Sequence, residues 1–187
     1  MGFSLVEMLF VSSIGVILLA ISVPEFLAGL DDMRTAAAAR YVSGQLYLTR
    51  AEAVKRSVKV AFRFAPEGND YRFGAFLDGN RNGVRTAEIA SGVDPRLAED
   101  VPLSARFGGV RFGILPSVPL IDGGFSADPI RLSSGSLLTF SPDGTATSGT
   151  LYIRGARNAQ YAVRVFGVTG RTRVFKFLGA AGRWKPL

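Results

Sequence analysis

The sequence predicts an α+β protein in which one long N-terminal transmembrane helix is followed by a small antiparallel β-sheet head. Residues 3–23 form an almost unbroken apolar run, and residues 25–56 keep apolar positions at helical spacing. From residue 58 onward, apolar residues alternate with polar ones in short segments separated by glycine and proline. A helix followed by consecutive short strands is typical of α+β folds with antiparallel sheets.

The apolar run from Phe3 to Val23 contains one carboxylate, Glu7. As a helix, its roughly 21 residues would extend about 31 Å, which is long enough to cross a bilayer. A charged side chain at bilayer depth costs roughly 2.5–3.5 kcal/mol on insertion scales. Nothing else in the segment is expected to pair with Glu7. Its position therefore predicts a functional role that requires a partner outside the run.

Cleavage between Gly2 and Phe3 would create such a partner. The new α-amine would lie about one helical turn before Glu7, so the amine of one subunit could neutralise Glu7 of the next. The alternative is an ordinary signal anchor or a secretory signal peptide, whose apolar region is only about 7–15 residues long. No Lys or Arg precedes the run, so flanking charge does not indicate its orientation.

Residues 25–57 are predicted to continue the helix as an amphipathic segment. Pro24 removes one backbone donor, which predicts a kink or local melting, with a flexible joint from Pro24 to Gly29. One apolar stripe is predicted to pack on a sheet: Phe26, Leu30, Met33, Ala37, Tyr41, Gly44 and Leu48. The charged residues mostly off this stripe are predicted to be solvated: Asp31, Asp32, Arg34, Arg40, Arg50, Glu52, Lys55 and Arg56.

Alternating segments predict the strands of the head. A hairpin is expected from strands 58–64 and 71–77 around a turn at 66–70. Later strands are expected at 110–114, 137–140, 150–154, 161–168 and 173–178. The Pro- and Gly-rich stretch 101–129 is predicted to form loops on one face.

Gly2, Phe3, Glu7 and the apolar helix with Pro24 resemble the processing and assembly segment of type IV pilins and type II secretion pseudopilins. The resemblance implies cleavage after Gly2 by a prepilin peptidase, N-methylation of Phe3, and Glu7 as the charge that sets filament register. It also implies four regions: a leader remnant at 1–2, a membrane and assembly helix at 3–24, its amphipathic continuation at 25–57, and a β-rich periplasmic head at 58–187.

Segments 45–56, 58–64, 140–144 and 169–174 resemble the GspH/FimT group of minor pseudopilins and minor pilins. This implies a single-pass protein of the bacterial inner membrane with its head in the periplasm. Its partners would be other major and minor pseudopilins or pilins and the inner-membrane assembly platform, and it would assemble at the tip of a secretion pseudopilus or pilus. The alternative is a FimT-like minor type IV pilin that binds DNA during natural transformation.

Residues 150–187 contain eight Lys or Arg and no Asp or Glu. The positive charge of this segment therefore exceeds the net charge of +7 of the whole chain. Such a positive field attracts phosphate backbones. The segment Gly170-Arg171-Thr172-Arg173 resembles the DNA-binding element of FimT-type minor pilins, and alternation would place both arginines on one strand face. Further candidates are Arg154, Arg157 and Lys176 for phosphates, and Tyr161 and Trp184 for base stacking. The alternative is a Gly-Arg turn on an ordinary basic surface.

The loop that begins at Asp78 has oxygen side chains at positions 1, 3 and 5 and glycine at position 6, like the first half of a calcium loop. The candidate ligands are Asp78, Asn80, Asn82 and Glu88. Position 12 is Ile89, and Arg81 and Arg85 add repulsion. The alternative is a hairpin turn rich in Asn and Gly.

The chain contains no His and no Cys, which excludes the common zinc, thiol-nucleophile and histidine-base sites. There is also no Gly-rich phosphate loop with a lysine. The sequence therefore predicts a structural protein, not an enzyme, with calcium as the only candidate cofactor.

Overall fold

A computed structural model describes residues 4–98, 101–133 and 135–187. Helix α1 spans Leu5–Arg56, and two short helices, α2 and α3, span Thr86–Ser91 and Leu103–Arg106. The strands are β1 Val60–Glu67, β2 Asp70–Leu77, β3 Val101–Pro102, β4 Arg111–Phe112, β5 Ile130–Leu132, β6 Leu137–Phe140, β7 Gly149–Arg154, β8 Gln160–Phe166, β9 Arg171–Leu178 and β10 Arg183–Pro186. A 3₁₀ turn, Gly179–Ala181, joins β9 to β10.

The strands form two antiparallel sheets beside the second half of α1. The first has the order β3-β2-β1-β6, and the second has the order β10-β9-β8-β7-β4, with β5 paired to another part of β7. The β1–β2 hairpin pairs over its full length, from Val60 opposite Leu77 to Glu67 opposite Asp70. The predicted α+β fold is confirmed. The stretch 101–129 was predicted as loops around a strand at 110–114; it contains β4 within that predicted strand, and also the short strand β3 and helix α3.

Helix α1 runs through Pro24 without interruption for 52 residues. The predicted local melting between Pro24 and Gly29 is therefore wrong. Proline removes one backbone donor, but the hydrogen bonds of the turns on both sides remain, so a long helix can continue through it. The helix ends where Ser57 adopts a left-handed conformation with a φ of 53°, and basic Lys55 and Arg56 lie in the last turn, where they complement the helix dipole.

The face of α1 that packs on the sheets is not the predicted stripe. Phe26 and Met33 are 72 % and 71 % exposed, and Leu48 is also exposed. The buried residues of α1 are Asp31, Thr35, Ala38, Ala39, Val42, Leu46, Thr49 and Ala53. The helix has apolar residues on two opposite faces. The smaller residues pack on the sheets because they let the backbones approach closely, while much of the predicted stripe remains outside.

The main core lies between α1 and the inner faces of the two sheets. Leu46 of the helix is buried in the same cluster as Phe140, Leu151 and Val163 from the strands. Beside them, a group of aromatic rings closes the space between β1, β2 and β4 at centroid separations of 5.5–6.5 Å: Phe62, Phe64, Phe73 and Phe112. Offset and edge-to-face contacts of this kind add stability beyond area burial.

Asp31 ties the helix to the turn between β7 and β8. Its carboxylate accepts hydrogen bonds from the backbone N–H groups of Ala156 at 2.8 Å, Arg157 at 3.1 Å and Ala159 at 3.4 Å. Asp31 is 7 % exposed, so its predicted solvation is wrong. The backbone at Gly155 passes so close to this carboxylate that a Cβ there would overlap its oxygens. Glycine is therefore required by the clamp that Asp31 forms.

We expect the substitution Gly155→Ala to destabilise the head by about 1–3 kcal/mol, because the new methyl group must displace the Asp31 carboxylate from three amides. The measurement is urea unfolding of the full chain in detergent, followed by circular dichroism. The control is Gly44→Ala in α1, where an added Cβ meets no atom within 4 Å. That variant is expected to match the parent or gain up to about 1 kcal/mol. Equal stability of both variants would contradict the clamp.

Candidate functional site

The N-terminal half of α1 projects away from the head. Every residue from Ser4 to Gly29 is exposed except the half-buried Gly15. Among residues 4–98, 101–133 and 135–187, α1 is the one helix long and apolar enough to cross a membrane, and none of its most apolar window is buried. Such a surface requires an apolar environment that the monomer does not provide.

Glu7 lies in the first turn of this exposed helix. Its Oε2 accepts a hydrogen bond from the backbone N–H of Ser4 at 3.1 Å. The first N–H groups of a helix lack intrahelical partners, and the helix dipole favours a negative charge there. The expectation that nothing in the segment pairs with Glu7 was therefore incomplete, since a backbone amide satisfies one oxygen. Within the described part of the chain, no cation pairs with its charge. Gly2 and Phe3 lie outside the described residues.

The second half of α1 also presents an apolar surface, which we call the outer stripe: Phe26, Met33, Ala37, Gly44 and Leu48. At 100° per residue these positions lie within roughly 60° of arc, about opposite the buried Val42. All five are exposed. The outer stripe continues the apolar surface of the N-terminal half, so α1 has an uncovered apolar face along nearly its whole length.

Arginines form a row across the outer face of the larger sheet. In the strand register, Arg131 lies opposite Thr150, Thr150 opposite Arg164, and Arg164 opposite Arg173. Directly opposite residues on antiparallel strands point to the same face. The alternate residue Val163 is buried in the core under α1, so the arginines point away from the helix. We call Arg131, Arg164 and Arg173 the arginine row.

Arg171 lies beside the arginine row, opposite Phe166. Arg171 and Arg173 are both exposed and share a strand face, as the sequence predicts. Arg131 and Arg164 were not predicted as DNA contacts, because the register between strands cannot be read from the alternation of residues in the sequence. A groove of about 650 Å³ runs beside the row, lined in part by Arg131, Arg164 and Phe166.

The charges of the row are only partly neutralised. Nη1 of Arg164 lies 2.7 Å from Oδ1 of Asp122, and its guanidinium lies 5.8 Å from the ring centre of Phe166. Arg131 donates to the hydroxyl of Ser126 at 3.1 Å. Within the ranges that the structure describes, neither Arg171 nor Arg173 forms an ion pair. This end of the sheet therefore keeps an uncompensated positive charge.

The other predicted DNA contacts do not join this surface. Lys176 lies on the opposite face of β9, with Nζ 2.7 Å from Oδ2 of Asp32. Arg154 lies at the far end of the sheet with its Nε buried, and burial together with neighbouring Arg111 lowers the pKa of its guanidinium. Arg157 is exposed in the turn after β7, where its backbone N–H donates a hydrogen bond to the carboxylate of Asp31. Of the five predicted basic residues, only Arg171 and Arg173 lie together on the exposed outer face.

The two aromatic residues that were predicted to stack on bases both make contacts within the fold. Tyr161 is 2 % exposed and donates its hydroxyl to Oδ1 of Asp32, and burial together with this carboxylate raises the pKa of the phenol. Trp184 is half-buried, donates Nε1–H to the carbonyl of Pro119 at 2.8 Å and packs against Tyr152. Tyr161 is therefore not free to stack on a base and the expectation for this ring is wrong, whereas stacking on the half-buried Trp184 stays a prediction.

The backbone conformation and close contacts at Gly170 explain why the Gly-Arg turn contains glycine. Its φ is 59°, its N–H donates to the carbonyl of Phe166 at 2.7 Å, and a Cβ would overlap the carbonyl oxygen of Gly144. That oxygen also accepts a hydrogen bond from Nε of Arg50 at 3.0 Å. Arg50 is thus half-buried and bonded, not solvated as predicted. The turn packs two distant segments against α1, while Arg171 and Arg173, which follow it on β9, form no ion pair within the described ranges.

Three candidate calcium ligands, Asp78, Asn80 and Asn82, lie on the loop between β2 and α2, and the fourth, Glu88, lies in α2. Asp78 is buried and its Oδ2 accepts from the N–H of Gly83 at 2.8 Å. Oδ1 of Asn80 accepts from the N–H of Asn82 at 3.2 Å, and Nδ2 of Asn82 donates to Oε1 of Glu88 at 2.8 Å. Within residues 4–98, 101–133 and 135–187, no three His, Cys, Asp or Glu side chains converge on a metal site. Any cation here would depend on amide oxygens and water in addition to two carboxylates.

Comparison with known proteins gives one family. The family model described as Type II transport protein GspH matches residues 38–169. No protein of curated function matches the chain, and neither does any solved structure. The match covers more than half of the chain, from the buried part of α1 through β8. This chain belongs to the GspH family, whose members are structural pseudopilin subunits of type II secretion systems.

Proposed function

We propose that this chain is a minor pseudopilin that is cleaved after Gly2, N-methylated on Phe3 and assembled at the tip of a secretion pseudopilus. The observation that carries the proposal is the apolar surface that α1 leaves uncovered, from Leu5 through the outer stripe. Before assembly a bilayer would cover the N-terminal part, and after assembly neighbouring helices would cover both parts. The head would then remain on the filament surface.

The same surface supports the location that we propose. The exposed, apolar N-terminal half of α1 would cross the inner membrane as a single span, and the resemblance to pseudopilins implies that the head lies in the periplasm. Extraction from the bilayer into a filament would exchange lipid for the apolar faces of other major and minor pseudopilins. The prepilin peptidase and the inner-membrane assembly platform are the partners that this route requires.

Glu7 gives the assembly its register. Among the residues that the structure describes, one oxygen of Glu7 has a backbone partner but its charge has none. The α-amine created at Phe3 of a neighbouring subunit would pair with that charge in an apolar surrounding, where an unpaired carboxylate is costly. Subunits shifted along the filament axis would lose this pair, which favours one register.

We expect Glu7→Ala and Glu7→Gln to insert in the membrane but to lose most incorporation into pseudopili. Glutamine can keep the hydrogen bond at the helix start but carries no charge, so it separates capping from charge pairing. The measurement is the amount of the subunit in sheared filaments relative to that in membranes. The control is Glu25→Gln, which removes an exposed charge just after the span. Normal incorporation of Glu7→Gln would show that Glu7 only caps the helix.

Processing has its own test. We expect Gly2→Leu to remain uncleaved, because the proposed peptidase must bind the chain closely at the residue before the scissile bond. Intact mass measurement of the membrane-bound protein distinguishes the full chain from a chain that begins at N-methylated Phe3. Ser4→Leu serves as a control of similar bulk placed after the bond. Cleavage of the Gly2 variant at the normal position would remove the processing proposal.

A second function, DNA binding as in FimT-like minor pilins, is favoured by a specific observation. Arg173 of the arginine row and the neighbouring Arg171 are exposed on one face, beside the exposed ring of Phe166. Neighbouring strands are about 4.8 Å apart, so Arg131 and Arg173 are separated by roughly 14 Å across the sheet. A positive surface of that width fits a phosphate backbone and attracts it without sequence preference.

We expect the full chain in detergent to bind DNA with an affinity that falls as salt rises, and the double variant Arg171→Ala, Arg173→Ala to lose most of this binding. Losing two phosphate contacts should reduce the slope of log K against log salt by about 1.8 for duplex DNA. The matched control is Arg183→Ala, Lys185→Ala on β10, which removes the same charge from exposed positions on the other face. Equal losses in both double variants would indicate only general attraction to a basic protein.

A further inference from the structure

We infer that the loop from Asp78 to Glu88 binds a calcium ion. Two carboxylate oxygens in this loop, Oδ1 of Asp78 and Oε2 of Glu88, are buried and have no hydrogen-bond partner. In the part of the chain that the structure describes, the only other buried side-chain atom in this condition is Nε of Arg154. Buried polar atoms are rarely left unpaired, so two such oxygens in one loop point to a missing cationic ligand.

Asp78 is the central ligand. It is 4 % exposed, and its Oδ2 accepts from the N–H of Gly83, which fixes the carboxylate inside the turn formed by residues 78–83. Its Oδ1, on the same carboxylate, is buried and has no hydrogen-bond partner. A buried carboxylate oxygen that lacks a donor loses its hydration without compensation. A cation in the turn would restore that compensation.

Glu88 brings a second carboxylate to the same turn. Its Oε1 accepts from Nδ2 of Asn82 at 2.8 Å and lies 3.9 Å from Nη1 of Arg85, while its Oε2 remains free. Because Asn82 belongs to the turn, this contact holds Glu88 against it. Rotation of the Asn82 amide would turn its oxygen toward the carboxylates, and Oδ1 of Asn80 adds an acceptor close by.

Asp94 braces the loop and is not a ligand. It is 1 % exposed, and both of its oxygens are occupied: Oδ1 accepts from the N–H of Gly79 at 3.0 Å and Oδ2 from the N–H of Arg85 at 2.9 Å. Asp78 precedes α2, Glu88 lies in it and Asp94 follows it, and of these three acids only Asp78 and Glu88 keep an oxygen without a hydrogen-bond partner. The loop is thus held in shape by one acid and left open for a ligand by the other two.

The ligand chemistry favours calcium over magnesium. Two carboxylates, two amide oxygens and water form a set of hard oxygen ligands with irregular spacing, which calcium accepts and which the strict octahedron of magnesium does not. Three cations oppose binding: Arg85 beside Glu88, the exposed Arg81 in the turn, and Lys59, whose amine lies near Gly83. They should weaken the site to a Kd of about 10⁻⁴–10⁻³ M, the range of extracellular calcium modules.

The test is thermal unfolding of the full chain in detergent, first with a chelator and then across a CaCl2 series. At calcium concentrations about ten times the Kd, we expect the Tm to rise by about 3–5 °C. Isothermal titration should show one calcium ion per chain. MgCl2 at the same concentrations should leave the Tm unchanged, and an equal rise with magnesium would overturn the calcium assignment.

Variants separate this site from general cation effects. Asp78→Asn and Glu88→Gln should lose the calcium-dependent rise in Tm, whereas Asp143→Asn should keep it. Asp143 is an exposed acid that caps its own turn through Thr145. If the Asp78→Asn variant fails to fold, the Glu88→Gln variant alone provides the test, because Glu88 is only half-buried. The absence of a calcium effect in the parent chain, or an equal rise in Glu88→Gln and Asp143→Asn, would mean that water fills the loop and would overturn the inference.

Discussion

Helix α1 is apolar on two opposite faces, and each face requires a different partner. The inner face, built around Ala38, Ala39 and Val42, is buried on the sheets within the chain. The outer face, with Met33 and Leu48, has no partner within the described part of the molecule. A helix that is apolar all round is stable in water only when both sides are covered. The folded head therefore covers one face of the helix, and assembly must cover the other.

The larger sheet separates its charges in a similar way. Toward the helix, Lys176, Tyr161 and Asp32 form a compact polar network with hydrogen bonds of 2.7 and 3.0 Å, and the cation is neutralised there. On the outer face, Arg171 and Arg173 remain unpaired within the described ranges. Alternation along β9 puts these groups on opposite faces although they are close in sequence. A count of positive charges in residues 150–187 could not make this distinction.

The sequence predicted well which segments form helices and strands, but it predicted poorly which residues these segments contact in the fold. Leu137–Phe140 was predicted with the observed bounds, and the predicted strand 150–154 lacks only Gly149. Apolar residues at helical spacing identified α1. Both faces of the helix carry apolar residues at this spacing, so the spacing could not show which face the sheets would cover. Tyr161 was assigned to the surface because burial depends on strand register. Arg131 and Arg164 were missed for the same reason, as their proximity to Arg173 exists only once β5, β7, β8 and β9 are paired.

The two interpretations of the Gly170-Arg171 segment are compatible. Gly170 has a left-handed backbone, and Gly144 and Arg50 leave no room for a side chain there, so glycine at this turn is a requirement of the fold. That requirement fixes where β9 begins and hence which of its positions face outward. Positions 171 and 173 would be exposed on the outer face whatever their residues were, since neither packs in the core. The fold supplies the location, and the arginines at these positions, outside the matched range 38–169, give it a positive charge that the fold itself does not need.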